Sequence, residues 1–434
     1  MNRPPVSLAT KKHAPRMSVA QQIALYVIGG VLLPASIWML VRDVPFYTGP
    51  ALNTALLTGA GALGCWYALS RLRTYARARL LSYVLPVWVV VFGGILSVSA
   101  ILRTDMSYSL FVAVAPTTLL VAHAVTMRIR HSNPKLRHFI IPGGNVGNIL
   151  GSRGFVELDS SDQLARLIES DGVSGSIVAD LHHEQPAEWE RLLAKAALKG
   201  IPVYHYRLIE EALTGEVRIS HLRENDLGSL IPNLPYRGAK RLIDILAVIA
   251  LSPFLLPVLA IVALVIRLDS KGPVLFFQER LGYRGENFRM VKFRTMKPRD
   301  VDDTSEARRD DAMTKDDDDR ITRPGRILRK TRLDELPQAW NILMGDMSWI
   351  GPRPEARELA DWYESEIPFY SYRHIVRPGI TGWAQVNQGH VTDLDAIQSK
   401  LRYDFFYVKN LSLWLDVLIA LKTLRVVAGG FGAR

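Results

Sequence analysis

Runs of apolar residues long enough to cross a bilayer constrain this chain more than any other feature. Four of them, at about 23–41, 50–70, 81–101 and 108–127, fill the first third of the 434 residues. Each is near the ~20 residues that a helix needs to cross a hydrocarbon core. None carries the polar face of a soluble bundle helix. Pro34 and Pro86 lie inside two of the runs, which membrane helices tolerate. Arg3, Lys11, Lys12 and Arg16 precede the first run. Arg71, Arg73, Arg77 and Arg79 separate the second and third, and Arg128, Arg130, Lys135 and Arg137 follow the fourth. Only Arg42 and Arg103 occupy the other two connections. The alternation matches the positive-inside rule and puts the N-terminus and everything after about 128 in the cytoplasm. The basic N-terminus has no cleavage site after a short apolar core, so no signal peptide is expected.

The net charge is +11, with 48% of residues hydrophobic. Such a balance points to a polyanionic partner. Beside membrane spans, this means an anionic membrane surface or phosphorylated substrates rather than nucleic acid. The single cysteine, Cys65, excludes an intramolecular disulfide and a cysteine metal cage, and it reads as a packing residue.

Residues 137–225 read as strands alternating with helices, a small doubly wound α/β domain. Its turn, Gly143-Gly144-Asn145-Val146-Gly147, does not match the dinucleotide fingerprint. A bound dinucleotide and a scaffolding or regulatory module are both open. His182 and His183 have no accompanying metal spacing and read as solvated.

A fifth apolar segment, 243–266, is long enough to span. Arg237, Lys240 and Arg241 precede it, and Arg267 and Lys271 follow it. Cations at both ends argue against a simple crossing. Ser252, Pro253 and Pro257 lie near its middle, where proline removes a backbone donor. Two readings remain: a kinked transmembrane helix, or a helix that breaks there and returns by the face it entered.

The last third carries the short motifs. In VKFRTM, Lys292 and Arg294 alternate along a strand-like run and share a face, either a solvated one or a cationic pocket wall. The Asp316–Asp319 run is either a solvated loop or a metal-holding D-x-D. In KTRLDELPQAWNIL, Asp334 and Glu335 follow Lys330 and Arg332. With Asp334 as N-cap, Pro337 falls at N3, where its missing N–H costs nothing, and Leu336, Trp340 and Leu343 form an apolar face. Capping explains one acid well and the second less well. Cations and a helix N-terminus also lower carboxylate pKa values and attract phosphate, so an ionised phosphoryl acceptor is the other reading. Arg353 stands between two prolines, a stiff backbone suited to a bidentate phosphate grip. Arg373 and Arg377 precede a Gly-rich loop with Trp383. The final segment has Trp414, Leu418 and Leu421 on one side with Lys422 and Arg425 nearby, as in a helix lying on a membrane surface.

The strings SPFLLP, GPVLFFQERLGYRG, VKFRTM, RITRPGRILRKTRLDELPQAWNILMGDMSWIGPRP, RPGITGWAQVN and YDFFYVKNLSLWLD cover most of the last 200 residues. This region resembles the bacterial sugar transferases, the polyprenyl-phosphate hexose-1-phosphate transferases. The four spans and α/β middle look like the large members of that family, which start exopolysaccharide, capsule or O-antigen assembly.

The resemblance implies a multi-domain membrane protein of the bacterial inner membrane. It has four transmembrane helices (1–134), a Rossmann-like middle domain (135–232), and a mixed α/β, mainly helical catalytic domain (233–434) with a re-entrant helix at about 241–267. Both soluble parts are cytoplasmic. It implies transfer of hexose-1-phosphate from UDP-hexose to undecaprenyl phosphate with release of UMP. Asp334 is then the nucleophile, Glu335 its partner, and Mg²⁺ (alternatively Mn²⁺) lies at the pair. Arg353 binds phosphate, and Lys292, Arg294, Arg332 and Arg377 line the substrate site. It also makes Asp316–Asp319 a loop. After WAQVN the sequence continues Gln388-Gly389-His390, where related chains often have Gly and a basic or aromatic residue. Glucose is favoured as the sugar, with galactose open. A homodimer and contact with downstream assembly enzymes are further expectations. The competing functions are a metal-dependent glycosyltransferase releasing UDP and a non-catalytic assembly scaffold.

Overall fold

The computed structural model describes residues 17–45, 49–72, 80–132, 138–151, 154–170, 175–218, 234–297, 320–388 and 394–429. Asp316–Asp319, Gly389, His390, and the flanking cations Arg3, Lys11, Lys12, Arg16, Arg73, Arg77, Arg79, Lys135 and Arg137 lie outside them. The chain divides into two units, Met1–Thr214 and Gly215–Arg434.

The first unit opens with four helices: α1 (Val19–Arg42), α2 (Gly49–Leu72), α3 (Leu80–Ile101) and α4 (Tyr108–Ser132). Three of these are long and apolar enough to cross a membrane; α2 is not among them. Its Gly- and Ala-rich sequence explains this. Small buried residues such as Ala51, Gly61, Ala62 and Cys65 let α3 and α4 pack against it closely. Within α1, Leu25–Leu32 widens into a π-helical segment. The carbonyl of Gly30 there accepts from Thr117 and Thr118 hydroxyls at 3.0 and 3.1 Å.

The same unit holds a four-stranded parallel sheet in the order β2-β1-β3-β4. The strands are β1 (His138–Ile140), β2 (Phe155–Glu157), β3 (Ser176–Ala179) and β4 (Val203–His205). Every residue of β3 is buried, as a central strand covered on both faces requires. Helices α5 (Ser161–Glu169) and α6 (Ala187–Leu198) close one core through Leu164, Ile168, Trp189 and Ala196. Gly143 and Gly144 turn the chain after β1 at φ +118° and +64°. Asp180 fills that turn, accepting from the Asn145 N–H at 3.0 Å. A carboxylate held on the turn's N–H opposes a pyrophosphate there, which argues against a dinucleotide.

Helix α7 (Tyr206–Thr214) ends the first unit, and α8 (Leu234–Asp269) is the first helix described in the second. Helical backbone runs unbroken through Ser252, Pro253 and Pro257. The expected break is therefore not an interruption of the helix. Each proline removes one donor, and Ser252 Oγ donates to the carbonyl of Ile249 at 2.7 Å. Val248 belongs to one core with Met290, Ala339, Ile342 and Met347. Val262 and Ile266 belong to another with Phe293 and Leu328. The rest of α8 is largely apolar and exposed, with Phe254 at 75% and Leu268 at 78%.

Around α8 stand the hairpin β5 (Leu275–Leu281) and β6 (Asn287–Phe293), then α9 (Arg323–Thr331), a 3₁₀ helix (Leu333–Gln338) and α10 (Ala339–Met344). Strand β7 (Ser348–Ile350) pairs in parallel with β8 (Gly379–Thr381). The approach is so close that a Cβ on Gly379 would sit 2.1 Å from the Gly351 nitrogen. Helices α11 (Arg357–Glu366), α12 (Trp383–Asn387), α13 (Leu394–Lys409) and α14 (Leu413–Gly429) complete the unit. Asp416 on α14 ties three elements, accepting from Lys240 (2.7 Å), Tyr236 (2.6 Å) and Tyr407 (2.8 Å). The expectation for α14 is corrected. Leu418 and Leu421 are buried with Leu415 and Ile419, so that stripe faces the protein core rather than a membrane surface.

Candidate active site

The Asp334-Glu335 pair sits in the first turn of the 3₁₀ helix, not at an α-helical N-cap. Arg332 occupies the cap position with left-handed backbone, φ 59°. It ends α9 and turns the chain so that both acids face inward. Asp334 is 9% exposed and Glu335 4%. Pro337 lies within the same 3₁₀ turn, and Trp340 is 57% exposed rather than part of a buried apolar face.

Glu335 collects the cations. Its Oε1 lies 2.8 Å from Arg353 Nη2, 3.5 Å from Lys292 Nζ and 3.6 Å from Arg332 Nη1. Burial alone raises a carboxyl pKa, but here Arg353, Lys292 and Arg332 outweigh it and hold Glu335 far below the usual range. Burial and the neighbouring Arg353 charge lower Lys292 to about 8, although Glu335 opposes the shift. Asp334 goes the other way. Burial and the Glu335 charge raise it, against Lys292, Arg332 and Arg353. The expectation that cations depress Asp334 is therefore corrected: they are spent on Glu335. Asp334 Oδ1 is buried with no hydrogen-bond partner among the described residues. An orphaned buried carboxylate oxygen fits a cation or an electrophile better than a purely structural role.

The supports are equally specific. Asn341 pins β6, accepting from the Val291 N–H at 3.0 Å and donating to the Arg289 carbonyl at 2.8 Å. This holds Lys292, between those positions and Arg294, at the acids. Arg373 donates to the Arg353 carbonyl at 2.8 Å and pairs with Asp404 at 2.8 Å. Glu355 pairs with Lys400 and lies 3.7 Å from Arg373. The Pro-Arg-Pro turn is thus gripped from behind. Sequence reasoning named Arg373 without this role and missed Asn341, Glu355, Lys400 and Asp404, because nothing local marks a long-range buried pair.

Two expected site residues lie elsewhere. Arg294 donates to the carbonyls of Ser270 and Lys271, at 2.8 Å each, and so anchors the chain just after α8. Arg377 donates to the Gly345 carbonyl and stacks on Tyr283. Neither contacts Asp334 or Glu335 in the described network. A cleft of about 410 Å³ opens beside β6, lined by Phe277, Phe288, Arg289, Trp340 and Asp346 among others.

In the first unit, Asp180, His182 and His205 bring potential metal-ligand atoms within 4.8 Å of one another. His182 was expected to be solvated; it is exposed, yet it contacts His205 Nε2 through Nδ1 at 2.9 Å. His205 Nδ1 accepts from the Arg207 N–H, so the proton resides on Nε2, the atom a metal would need. A hydrogen-bonded cluster accounts for this geometry. The β3-to-β4 crossover that joins the histidines is invisible to local spacing.

A buried acid pair, one ion-paired and one orphaned, framed by lysine and arginine, is an arrangement suited to phosphate chemistry. Residues 235–430 match the bacterial sugar transferase family. Over 391 residues, 89% of this chain and 87% of the relative, the sequence is 42% identical to the UDP-N-acetylgalactosamine-undecaprenyl-phosphate N-acetylgalactosaminephosphotransferase of Aeromonas hydrophila. It is 41% identical over 200 residues (45% of this chain, 72% of the relative) to the UDP-glucose:undecaprenyl-phosphate glucose-1-phosphate transferase of Caulobacter vibrioides. It is 36% identical over 225 residues (50% and 47%) to the enzyme of that name from Escherichia coli. The chain belongs to the bacterial sugar transferase family. It is a phosphotransferase and, with four helices apolar and long enough to cross a bilayer, a membrane protein.

Proposed function

We propose that this enzyme transfers a sugar-1-phosphate from a UDP-sugar to undecaprenyl phosphate, with release of UMP. The observation that carries the reading is the division of labour between neighbours: Glu335 neutralised by three cations, Asp334 buried and unpartnered. A poorly solvated carboxylate beside a cationic frame is a strong nucleophile toward phosphorus. An Asp334 oxygen attacks the sugar-bearing phosphorus of the donor. The bond from that phosphorus to the bridging oxygen breaks, and UMP leaves with the electron pair. An oxygen of the lipid phosphate then attacks the same phosphorus and frees Asp334. Arg353 and Lys292, held by Arg373 and Asn341, keep the site positive while phosphate charge moves through it.

Mg²⁺, or Mn²⁺ in its place, fits Asp334 through the orphaned Oδ1 and would supply charge neutralisation at the phosphates. Glu335 fits less well as a ligand, since its Oε1 is already shared by Arg353, Lys292 and Arg332.

The site faces the cytoplasm in this reading, and α8 enters and leaves the bilayer by one face. A straight helix of its 36 residues would measure about 54 Å, well beyond the ~30 Å hydrocarbon core. Both its halves are packed on the same unit; Trp349 bonds Asp244, ten residues into the helix, and Arg294 bonds Ser270 just past its end. These contacts support re-entry. The first four helices all span, α2 included.

Glucose is named for the relatives that align over about half of this chain. N-acetylgalactosamine is named for the one that aligns over 89%. We therefore put N-acetylgalactosamine ahead of the glucose favoured by the WAQVN loop. The product would begin a surface polysaccharide repeat. A donor panel with undecaprenyl phosphate and full-length enzyme tests this. UMP release from UDP-N-acetylgalactosamine above the glucose and galactose donors is expected, and UDP release from every donor would overturn the reaction.

A further inference from the structure

Away from the acid pair, three arginines converge on one tyrosine. Arg237 Nη1 donates to Tyr283 Oη at 3.0 Å. The Arg377 and Arg284 guanidiniums stand 4.9 and 5.1 Å from the Tyr283 ring centre. Arg241 lies in the same small recess as Arg237 and Arg377. The bland explanation covers only part of this. Arg241 spends both terminal nitrogens on the Ile342 and Leu343 carbonyls, and Arg377 spends Nε on Gly345, so these groups cap α10. The terminal nitrogens of Arg377, the rest of the Arg237 fork and all of Arg284 have no carboxylate within ion-pair distance among the described residues. The acid in the recess, Asp244, accepts instead from the Trp349 N–H, and Lys240 is paired with Asp416. Arg284 is held at φ 59° in the hairpin turn between β5 and β6, a backbone that a side chain adopts at some cost.

Arg237 and Arg377 are half-buried and Arg284 is exposed. Asp244 offsets part of the charge at Arg377, but like charges gathered here still repel one another, and a bound anion lowers that cost. The position says which anion. Arg237 and Arg241 sit one and two turns into α8, directly before its exposed apolar residues Leu242, Ile243 and Leu246. That is where lipid phosphates lie when α8 is in a bilayer. The recess is also separate from the acid pair. It sits at the C-terminal end of α10, roughly 15 Å along the 3₁₀ and α-helical backbone from Asp334.

We propose that Arg237, Arg284 and Arg377 around Tyr283 form a binding site for the phosphate of an anionic membrane lipid at the base of α8. The site would hold the catalytic unit at a fixed height on the membrane. It rests on α8 entering the bilayer as proposed above, and UMP release reports on the reaction independently of it.

The test is native mass spectrometry of the full-length protein, titrated separately with phosphatidylglycerol, phosphatidylcholine, undecaprenyl phosphate and inorganic phosphate. The variants are Arg237→Gln and Arg284→Asn, the second chosen because asparagine tolerates the left-handed backbone. Wild type should retain one phosphatidylglycerol in preference to phosphatidylcholine, and each variant should weaken it about fivefold. Asp334→Asn should retain it fully. Undecaprenyl phosphate bound at this site, lost in both variants and kept in Asp334→Asn, would support the site with the acceptor lipid as its source. Equal retention of both phospholipids, unchanged binding in both variants, or binding of inorganic phosphate alone would overturn the proposal.

Discussion

Arg353 Nη2 lies 2.8 Å from Glu335 Oε1, and both side chains are largely withdrawn from solvent. This pair, with Lys292 and Arg332 on the same oxygen, is the electrostatic keel of the site. Glu335→Gln would leave buried cations uncompensated. A stability loss of about 3–5 kcal/mol is expected, the cost of breaking one partner out of a buried pair. Denaturant unfolding of the detergent-solubilised protein measures it. A loss under 1 kcal/mol would mean that water already screens the cluster.

Asp334 and Lys292 make opposite pH limbs. Asp334 is raised, so acid protonates the proposed nucleophile early, and activity is expected to fall on the low-pH side. Lys292, lowered to about 8, loses its charge above that pH, and kcat/KM should decline there. Lys292→Arg should move that limb to higher pH, because arginine does not titrate in the range. The stability sign is separate. Folded Lys292 binds fewer protons than the unfolded side chain between about 8 and 10.5, so its contribution rises with pH across that window.

Arg373 touches the Arg353 carbonyl rather than the acids, and so it positions the turn. Arg373→Lys keeps a charge for Asp404 but loses the fork. The expected result is a fall in kcat of about 10²-fold with KM little changed, the pattern of a misplaced group. A KM effect alone would place Arg373 in uniform substrate binding.

Re-entry of α8 predicts same-side labelling. With Cys65 replaced by Ser, single cysteines at Gly238 and Lys271 should both react with an impermeant thiol reagent only from the cytoplasmic face of oriented vesicles. Labelling from opposite faces would make α8 a crossing helix.

Much of this was legible in the sequence, for reasons that differ by residue. Apolar runs marked the helices because membrane insertion is decided by composition over about 20 residues. The alternation of short strands and helices foretold the parallel sheet. The Asp334-Glu335 pair stood out because capping explained only one acid. Which acid is ion-paired and which is left without a partner was not legible, since burial and ion pairing come from β6 and the Pro-Arg-Pro turn, distant in sequence. Arg294 misled for a related reason: Lys292 and Arg294 do alternate, but β6 ends at Phe293, and the second cation turns toward the end of α8. Leu418 and Leu421 misled because an amphipathic stripe reads alike whether it meets lipid or a protein core.

The central claim is that Asp334 carries the phosphosugar. Full-length enzyme given UDP-sugar without lipid acceptor should release about one UMP per active site. Intact-protein and peptide mass spectrometry should then find the sugar phosphate on the Asp334 peptide, and neither signal should remain in Asp334→Asn. Turnover at the wild-type rate by Asp334→Asn, or UDP as the released nucleotide, would contradict the account.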